Sequence, residues 1–239
     1  MPQTRRFLVT AGNTREMIDR VRDWGNIFTG RTGLAIAREL SKFGTVDLVT
    51  STRAHLDEPA STPNLETHPF KTHLELDALL EQMVTSTKYD AIFMTAAVSD
   101  YRPAGVFAVS QREKLEDGSE RWIVRNVDAP KVSSSHQHIT ILGEPTSKIV
   151  DRFRRDWKFA GLLVKFKLEV GIAPRMLQEI AERSRVASGA DFLVANTLEM
   201  ISGVEPGAYL IGDGMVEWMQ RDELASRLAR LVNDRLGSK

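Results

Sequence analysis

Thr10, Ala11 and Gly12 end an apolar run that begins at Phe7, and Gly30 and Gly33 open a helical run that continues from Leu34. Glycines between a strand and a helix let backbone N–H groups close on an anion, and the positive helix N-terminus faces the same charge. These residues therefore read as a nucleotide-phosphate cradle. Gly12 and Gly30 stand too far apart for the dinucleotide fingerprint G-x-G-x-x-G, which weakens an NAD(P) oxidoreductase reading. The interval is polar: Thr14, Arg15, Glu16, Asp19, Arg22 and Asn26 supply donors, acceptors and charge suited to holding an acid substrate.

Further sets of small or polar residues follow apolar runs. Ala96-Ala97-Val98-Ser99-Asp100-Tyr101 comes after the run from Ala91, Phe166-Lys167-Leu168-Glu169 closes the run from Leu162, and Ala195-Asn196 closes that from Phe192. In an open α/β sheet, ligands settle at such carboxyl ends. Taken singly, each set also reads as an ordinary strand terminus, with Asp100 as a cap and Phe166 as a core aromatic. His136 and His138 have the alternation of one strand face but no third ligand at metal-site spacing, so a surface hairpin accounts for them. G-x-S-x-G, Walker and H-E-x-x-H signatures are missing, which lowers serine hydrolase, P-loop ATPase and zinc protease readings.

The opening run resembles that of phosphopantothenate-cysteine ligases, T-x-G-G-T-R-E followed by V-R-x-x-x-N-x-S-S-G-x-x-G. Arg22, Asn26, Gly30 and Gly33 occupy the pattern's positions, whereas Asn13 replaces its second glycine and Phe28 and Thr29 replace its serines. The Ala96–Tyr101 run is similar to the family's A-A-V-A/S-D-F/Y, and Phe166–Glu169 is similar to F-K-L-E-T of eukaryotic-type ligases. The resemblance spans nearly the whole chain and is to the standalone synthetase form. It implies nucleotide contacts from Gly12, Gly30, Gly33, Ala96, Ala97, Asp100, Phe166 and Asn196. It also implies a lysine in a flexible K-I segment, for which Lys131 fits better than Lys114 because Ile139-Thr140-Ile141 follows at the family's distance. Arg183 and Arg185 fall in the helix region where bacterial ligases use lysines to help read cytosine.

The implied reaction is amide synthesis in coenzyme A biosynthesis. A nucleotidyl group from ATP or CTP is transferred to the acid of 4'-phosphopantothenate with release of pyrophosphate, and the amine of cysteine attacks the acyl nucleotidylate. Asn26 would stabilise the acyl intermediate, Arg22 and Lys131 would balance phosphate charge, and Mg2+ would bridge the triphosphate, with its protein ligands unassigned. Phe166–Glu169 favours acceptance of ATP. The family also implies a homodimer and a cytoplasmic location, with decarboxylation left to another polypeptide because no flavin-binding domain accompanies this sequence. Two other readings stay open: a diverged ligase acting on another phosphorylated or nucleotide-linked acid, and a non-catalytic nucleotide-binding protein.

The elements that must position these residues follow from periodicity. The 239 residues suit one α/β domain spanning 1–239. Apolar runs at Phe7–Thr10, Val46–Thr50, Ala91–Thr95, Leu162–Phe166 and Phe192–Ala195 alternate with helical patterns at Leu34–Phe43, Leu74–Thr87, Thr146–Trp157 and Met176–Ala187. That alternation predicts a Rossmann-like, mainly parallel sheet with helices on both faces. A hairpin turning at Gly212-Asp213-Gly214 and a closing helix over Asp222–Leu236 follow. Between about residues 105 and 143 the pattern changes to short strands around a turn at Glu116–Ser119, predicting a projecting antiparallel arm that reads equally as a substrate lid, a dimer contact or a plain surface hairpin. Leu56–Pro69 reads as a polar loop. Lysine plus arginine equals aspartate plus glutamate at 32 each, giving no sign of a nucleic-acid or membrane-surface partner. The chain has no cysteine, which excludes a thiol nucleophile and suits a reducing compartment. No leader is expected before the first strand, and no apolar run approaches the ~20 residues of a membrane helix.

Overall fold

The computed structural model describes residues 5–202 and 205–237. Six strands run parallel: β1 (Arg5–Ala11), β4 (Gly44–Thr50), β5 (Leu65–Pro69), β6 (Ala91–Met94), β10 (Leu162–Glu169) and β11 (Phe192–Thr197). The antiparallel hairpin of β12 (Gly207–Gly212) and β13 (Met215–Gln220) extends them to an eight-stranded sheet ordered β13-β12-β11-β10-β6-β1-β4-β5. This is the expected Rossmann-like architecture. β1 and β6 are neighbours, and the chain proceeds outward from them in opposite directions, so their carboxyl ends form the topological switch point.

Helical spacing explains how the sheet is covered. In α1 (Arg31–Leu40) the buried residues are Gly33, Ile36, Ala37 and Leu40, one stripe at three- and four-residue intervals. It shares a core with Leu228, Ala229 and Val232 of α6 (Leu224–Gly237) and with Phe7, Val9, Phe93, Val164 and Val194 from alternate strand positions. The opposite face carries α2 (His73–Ser86), α3 (Ile149–Arg155) and α4 (Pro174–Ser188). Start and stop signals agree with these bounds. The Thr72 side chain accepts from the Glu75 N–H at 3.2 Å before α2, and Gly189, at φ 64°, ends α4 in the left-handed conformation.

Three features depart from the sequence reading. The polar loop expected over Leu56–Pro69 contains β5, which pairs in parallel with β4 from Val46↔Leu65 to Thr50↔Pro69. Its residues, Leu-Glu-Thr-His-Pro, lack the apolar density of a buried strand because β5 is the sheet edge, where proline is tolerated. A small hairpin of β2 (Arg15–Met17) and β3 (Asp23–Gly25) occupies the polar interval after Gly12, and a short helix α5 (Leu198–Ser202) follows β11.

The projecting arm is a separate three-stranded antiparallel sheet with the long β7 (Tyr101–Lys114) between β8 (Glu120–Asn126) and β9 (Ile139–Pro145). Every residue of β8 is exposed, Trp122, Ile123 and Val124 among them. His136 and His138 precede β9 rather than sharing a strand face, and the His138 carbonyl accepts from the Val109 N–H. At its base the arm meets the β2–β3 hairpin, where Trp24 lies against Gly143.

Candidate active site at the switch point

The glycines are explained by contact between backbones. Gly12 ends β1 at φ +86°, and Gly30, at φ +75°, caps α1 without a side-chain hydrogen bond. A β-carbon on Gly30 would stand 2.3 Å from the Gly12 nitrogen, and one on Gly33 would stand 2.4 Å from Thr95 Oγ1 and 2.8 Å from the Thr10 oxygen. These two glycines therefore bring the start of α1 onto the carboxyl ends of β1 and β6. No acidic residue stands in its first turn, so the positive end of the helix at these strand ends has no acidic side chain of its own first turn to offset it.

Around that helix end the predicted small residues interlock. The Ala97 N–H donates to the Gly12 carbonyl at 2.9 Å, and the Ala97 carbonyl accepts from the Thr14 N–H at 3.1 Å and from Asn26 Nδ2 at 3.4 Å. The Ala96 N–H donates to Thr10 Oγ1 at 3.1 Å. Asn26 is exposed beside Ala97, and its own carbonyl accepts from Asn13 Nδ2. Asn13 thus replaces a glycine of the family pattern with a side chain that ties down the Asn26 segment. Sequence reasoning named Thr10 as the strand end without a role for its hydroxyl and did not name Ser51: Thr10 Oγ1 also accepts from the Thr95 N–H at 3.1 Å, and Ser51 Oγ accepts from the Asn13 N–H at 2.9 Å. A hydroxyl residue at a strand end carries too weak a signal to stand out.

The polar interval, expected to hold an acid, is used mostly by the protein itself. Thr14, Glu16 and Asp19 are buried: Thr14 Oγ1 accepts from the Ser99 N–H at 2.8 Å, and Glu16 Oε1 accepts from the His73 N–H at 2.6 Å. Arg15 pairs with Asp23 at 3.2 Å. Buried polar groups require such partners, which is why these residues do not line an open site. Asp19 accepts from Arg22 Nη2 at 2.5 Å and from the N–H groups of Val21, Arg22 and Val132. The Arg22 guanidinium, followed by these backbone donors, holds the Asp19 carboxyl well below the usual carboxylate range.

Arg22 Nη2 also donates to the Val132 carbonyl at 2.9 Å, and the Arg20 N–H donates to the Pro130 carbonyl at 3.0 Å. The β2–β3 hairpin therefore grips the backbone on both sides of Lys131, whose side chain is left exposed. Lys114 lies at the far end of β7, opposite Glu120 in the arm's outer turn. The two lysines occupy opposite ends of the arm, and Lys131 is the one tied to the hairpin that leads into Asn26.

Asp100 is exposed and its Oδ1 accepts from Lys148 Nζ; the sequence reading had not singled out that lysine. Phe166 is half-buried and packs against the core beneath α1, and Asn196, half-buried, shares the parity of Val194 on that same face. Arg185 is placed away from this end. It caps the last turn of α4, binding Glu182 at 2.7 Å and the Ala190 carbonyl at 3.1 Å beside the start of β11, because α4 runs antiparallel to the strands it connects. Lys165, buried under α4, donates to Ser184 Oγ at 3.0 Å and Ser188 Oγ at 3.2 Å, and burial lowers its pKa.

A β-carbon at Gly30 or Gly33 would collide with the ends of β1 and β6, so these glycines seat the N-terminus of α1 at the strand ends, and a helix N-terminus is the kind of group that receives an anion. Asp100, paired with Lys148, is among the carboxylates at this end that could hold a Mg2+ accompanying a triphosphate.

Residues 3–120 match the DNA/pantothenate metabolism flavoprotein C-terminal domain family. The chain is 32% identical over 228 residues to the coenzyme A biosynthesis bifunctional protein CoaBC of Thermococcus kodakarensis, covering 94% of this chain and 50% of that protein. It therefore spans about half the length of that curated relative. Among solved structures, the DNA/pantothenate metabolism flavoprotein from Streptococcus pneumoniae aligns with TM-score 0.77 and 25% identity over 99% of each chain. A Cab2 mutant in complex with phosphopantothenate-cysteine shares the fold, with TM-score 0.69 and 16% identity over 97% of this chain and 86% of that one.

Proposed function

The chain belongs to the DNA/pantothenate metabolism flavoprotein C-terminal domain family, and from that premise we propose that it is a phosphopantothenate-cysteine ligase, a single ligase domain over residues 1–239. The observation that carries the reading is the convergence of Gly12, Gly30, Asn26 and Ala97 at the switch point, with the backbone around Lys131 gripped by the neighbouring hairpin. Backbone donors and a helix N-terminus suit a triphosphate, and Asn26 offers a neutral donor to an oxygen that gains charge as the acid is activated.

In this reading the triphosphate of ATP or CTP lies against Gly12, Gly30 and Gly33, and the nucleoside runs toward Ala96, Phe166 and Asn196. Asp100 contributes to holding Mg2+, which neutralises phosphate charge when bound. The carboxylate of 4'-phosphopantothenate attacks the α-phosphorus, the bond to pyrophosphate breaks, and Lys131 balances the charge on the departing oxygens. Arg22 acts as a positioning residue: its guanidinium is committed to Asp19 and to the Val132 carbonyl, so it sets where Lys131 stands. Cysteine's amine then attacks the acyl carbon, expelling the nucleoside monophosphate and losing a proton as the amide forms.

A homodimer is part of the proposal, supported by the exposed Trp122, Ile123 and Val124 on an unpaired edge strand. ATP is the expected nucleotide: Phe166–Glu169 favours it, and Arg185, one of the two arginines in the helix region that reads cytosine in bacterial ligases, is committed to Glu182 and the Ala190 carbonyl. The reaction is assigned to the cytoplasm; no helix among the described residues is long and apolar enough to cross a membrane.

The test is pyrophosphate release measured across ATP and CTP, with 4'-phosphopantothenate and cysteine varied against other acids and amines, and mass spectrometry of the product. Stoichiometric phosphopantothenoylcysteine with pyrophosphate is expected. Nucleotide binding without pyrophosphate release from any acid would refute the ligase assignment.

A further inference from the structure

A second constellation lies on the outer strands of the sheet. Asp47 in β4 is opposite Glu66 in β5, and His68 lies two residues further along β5, so the three side chains stand on one face. One donor atom from each lies within 4.8 Å of the others. Asp47 is 2% exposed, whereas Glu66 reaches solvent. The two Asp47 oxygens have different surroundings. Oδ2 accepts from Arg6 Nε at 2.9 Å and from the Tyr89 hydroxyl at 2.8 Å, while among the described residues Oδ1 meets only His68 Nε2, at 2.8 Å. Arg6 offsets one of the two carboxylate charges of Asp47 and Glu66, and the other lies beside the His68 imidazole.

We propose that Asp47 Oδ1, Glu66 and His68 Nε2 form a site for a divalent first-row transition ion of the Zn2+ class. Imidazole combined with carboxylates suits such an ion, whereas Mg2+ and Ca2+ prefer all-oxygen surroundings, so this site is distinct from that of the metal accompanying a nucleotide. Two ligands each ~2.0–2.1 Å from an ion in tetrahedral geometry stand about 3.3 Å apart. Asp47 Oδ1 and His68 Nε2, 2.8 Å apart, need open only slightly to reach it. Glu66, exposed at the sheet edge, has the side-chain freedom to close the third side. On binding, the ion takes the place of the proton between His68 Nε2 and Asp47 Oδ1, and the neutral ring carries its proton on Nδ1. Oδ2 keeps Arg6 and Tyr89, which hold the Asp47 carboxylate in place as outer-shell donors do in metal sites. Three protein ligands leave positions for water, and the ion bridges the edge strand β5 to β4 on the face covered by α2.

The test uses the full chain, stripped with chelator and dialysed, titrated with Zn2+ by calorimetry and with Co2+ as a spectroscopic probe. One-to-one binding is expected, unaltered by a large excess of Mg2+ and unaltered in a His136→Ala/His138→Ala variant, which removes competing imidazoles elsewhere in the chain. Glu66→Gln, an exposed substitution that leaves folding intact, should weaken binding at least about tenfold, the floor for losing even an outer-shell partner. His68→Ala should abolish the Co2+ spectrum, with far-UV circular dichroism reporting its folding. Absence of stoichiometric Zn2+ binding to the unmodified chain would overturn the proposal, as would undiminished binding by Glu66→Gln or by folded His68→Ala.

Discussion

Replacing Gly30 by alanine isolates the contact that seats α1 on the switch point. Gly30 is at φ +75°, where a β-carbon would lie 2.3 Å from the Gly12 nitrogen, 2.9 Å from its Cα and 3.1 Å from the Ala11 carbonyl carbon. Gly214 supplies the control: it has φ +66° and nothing within 4 Å of its notional β-carbon. Both substitutions incur the left-handed penalty of ~1–2 kcal/mol and the same gain from a stiffer unfolded chain. Those contributions cancel in the comparison. What is left for Gly30→Ala is overpacking against backbone, ~1–3 kcal/mol, equivalent to a melting temperature lower by about 2–4 °C for each kcal/mol in a chain of this size. Urea and thermal melts of the two variants measure the difference. The same shift draws the N-terminal N–H groups of α1 away from a bound phosphate; loss of one charge-assisted hydrogen bond, ~1.5–3 kcal/mol, weakens nucleotide binding about 10- to 100-fold. Equal stability of the two variants would refute the packing argument, and unchanged nucleotide affinity in a destabilised Gly30→Ala protein would refute the cradle.

Lys131→Ala should lower turnover by ~100- to 1000-fold, the scale for removing one preorganised electrostatic contact, while Lys114→Ala has little effect; steady-state pyrophosphate release ranks them, and a reversed order would move the catalytic lysine to the arm's outer turn. Asn26→Asp places a negative charge beside the activated carboxyl, so single-turnover analysis should find no acyl nucleotidylate in a variant with an unchanged melt. Asp47 links stability to pH. Burial pushes its carboxyl up, but hydrogen bonds from His68, Arg6 and Tyr89 outweigh that effect and lower its pKa from 3.8 to about 2. Its stabilisation is therefore complete above about pH 4 and is lost as pH falls through about 2, an acid limb that urea melts should find flattened in Asp47→Asn. Ile123→Glu in the exposed edge strand should convert the dimer to monomer by light scattering, with secondary structure unchanged; a monomeric unmodified chain would refute the arm as a dimer contact.

The sequence by itself determined the parallel core and its chemistry-bearing ends. Phe7–Thr10, Ala91–Thr95, Leu162–Phe166 and Phe192–Ala195 are legible because strands covered on both faces must be apolar throughout, and Gly12, Gly30 and Gly33 because the turns around them exclude a β-carbon. Asn26, Ala97 and Lys131 were proposed through the order of motifs, which carries no information about distance. Tertiary structure decided the rest. Asp19 and Arg22 look alike as charged loop residues, yet one is buried and both act on the segment carrying Lys131, an arrangement that joins residues more than 100 positions apart. β5 was illegible because an edge strand needs little apolar surface, and its pairing with β4 alone brings Glu66 and His68 to Asp47. Period and composition report which side chains need burial; which polar groups satisfy one another depends on the packing of distant segments, because a buried donor must find its acceptor wherever the fold places it.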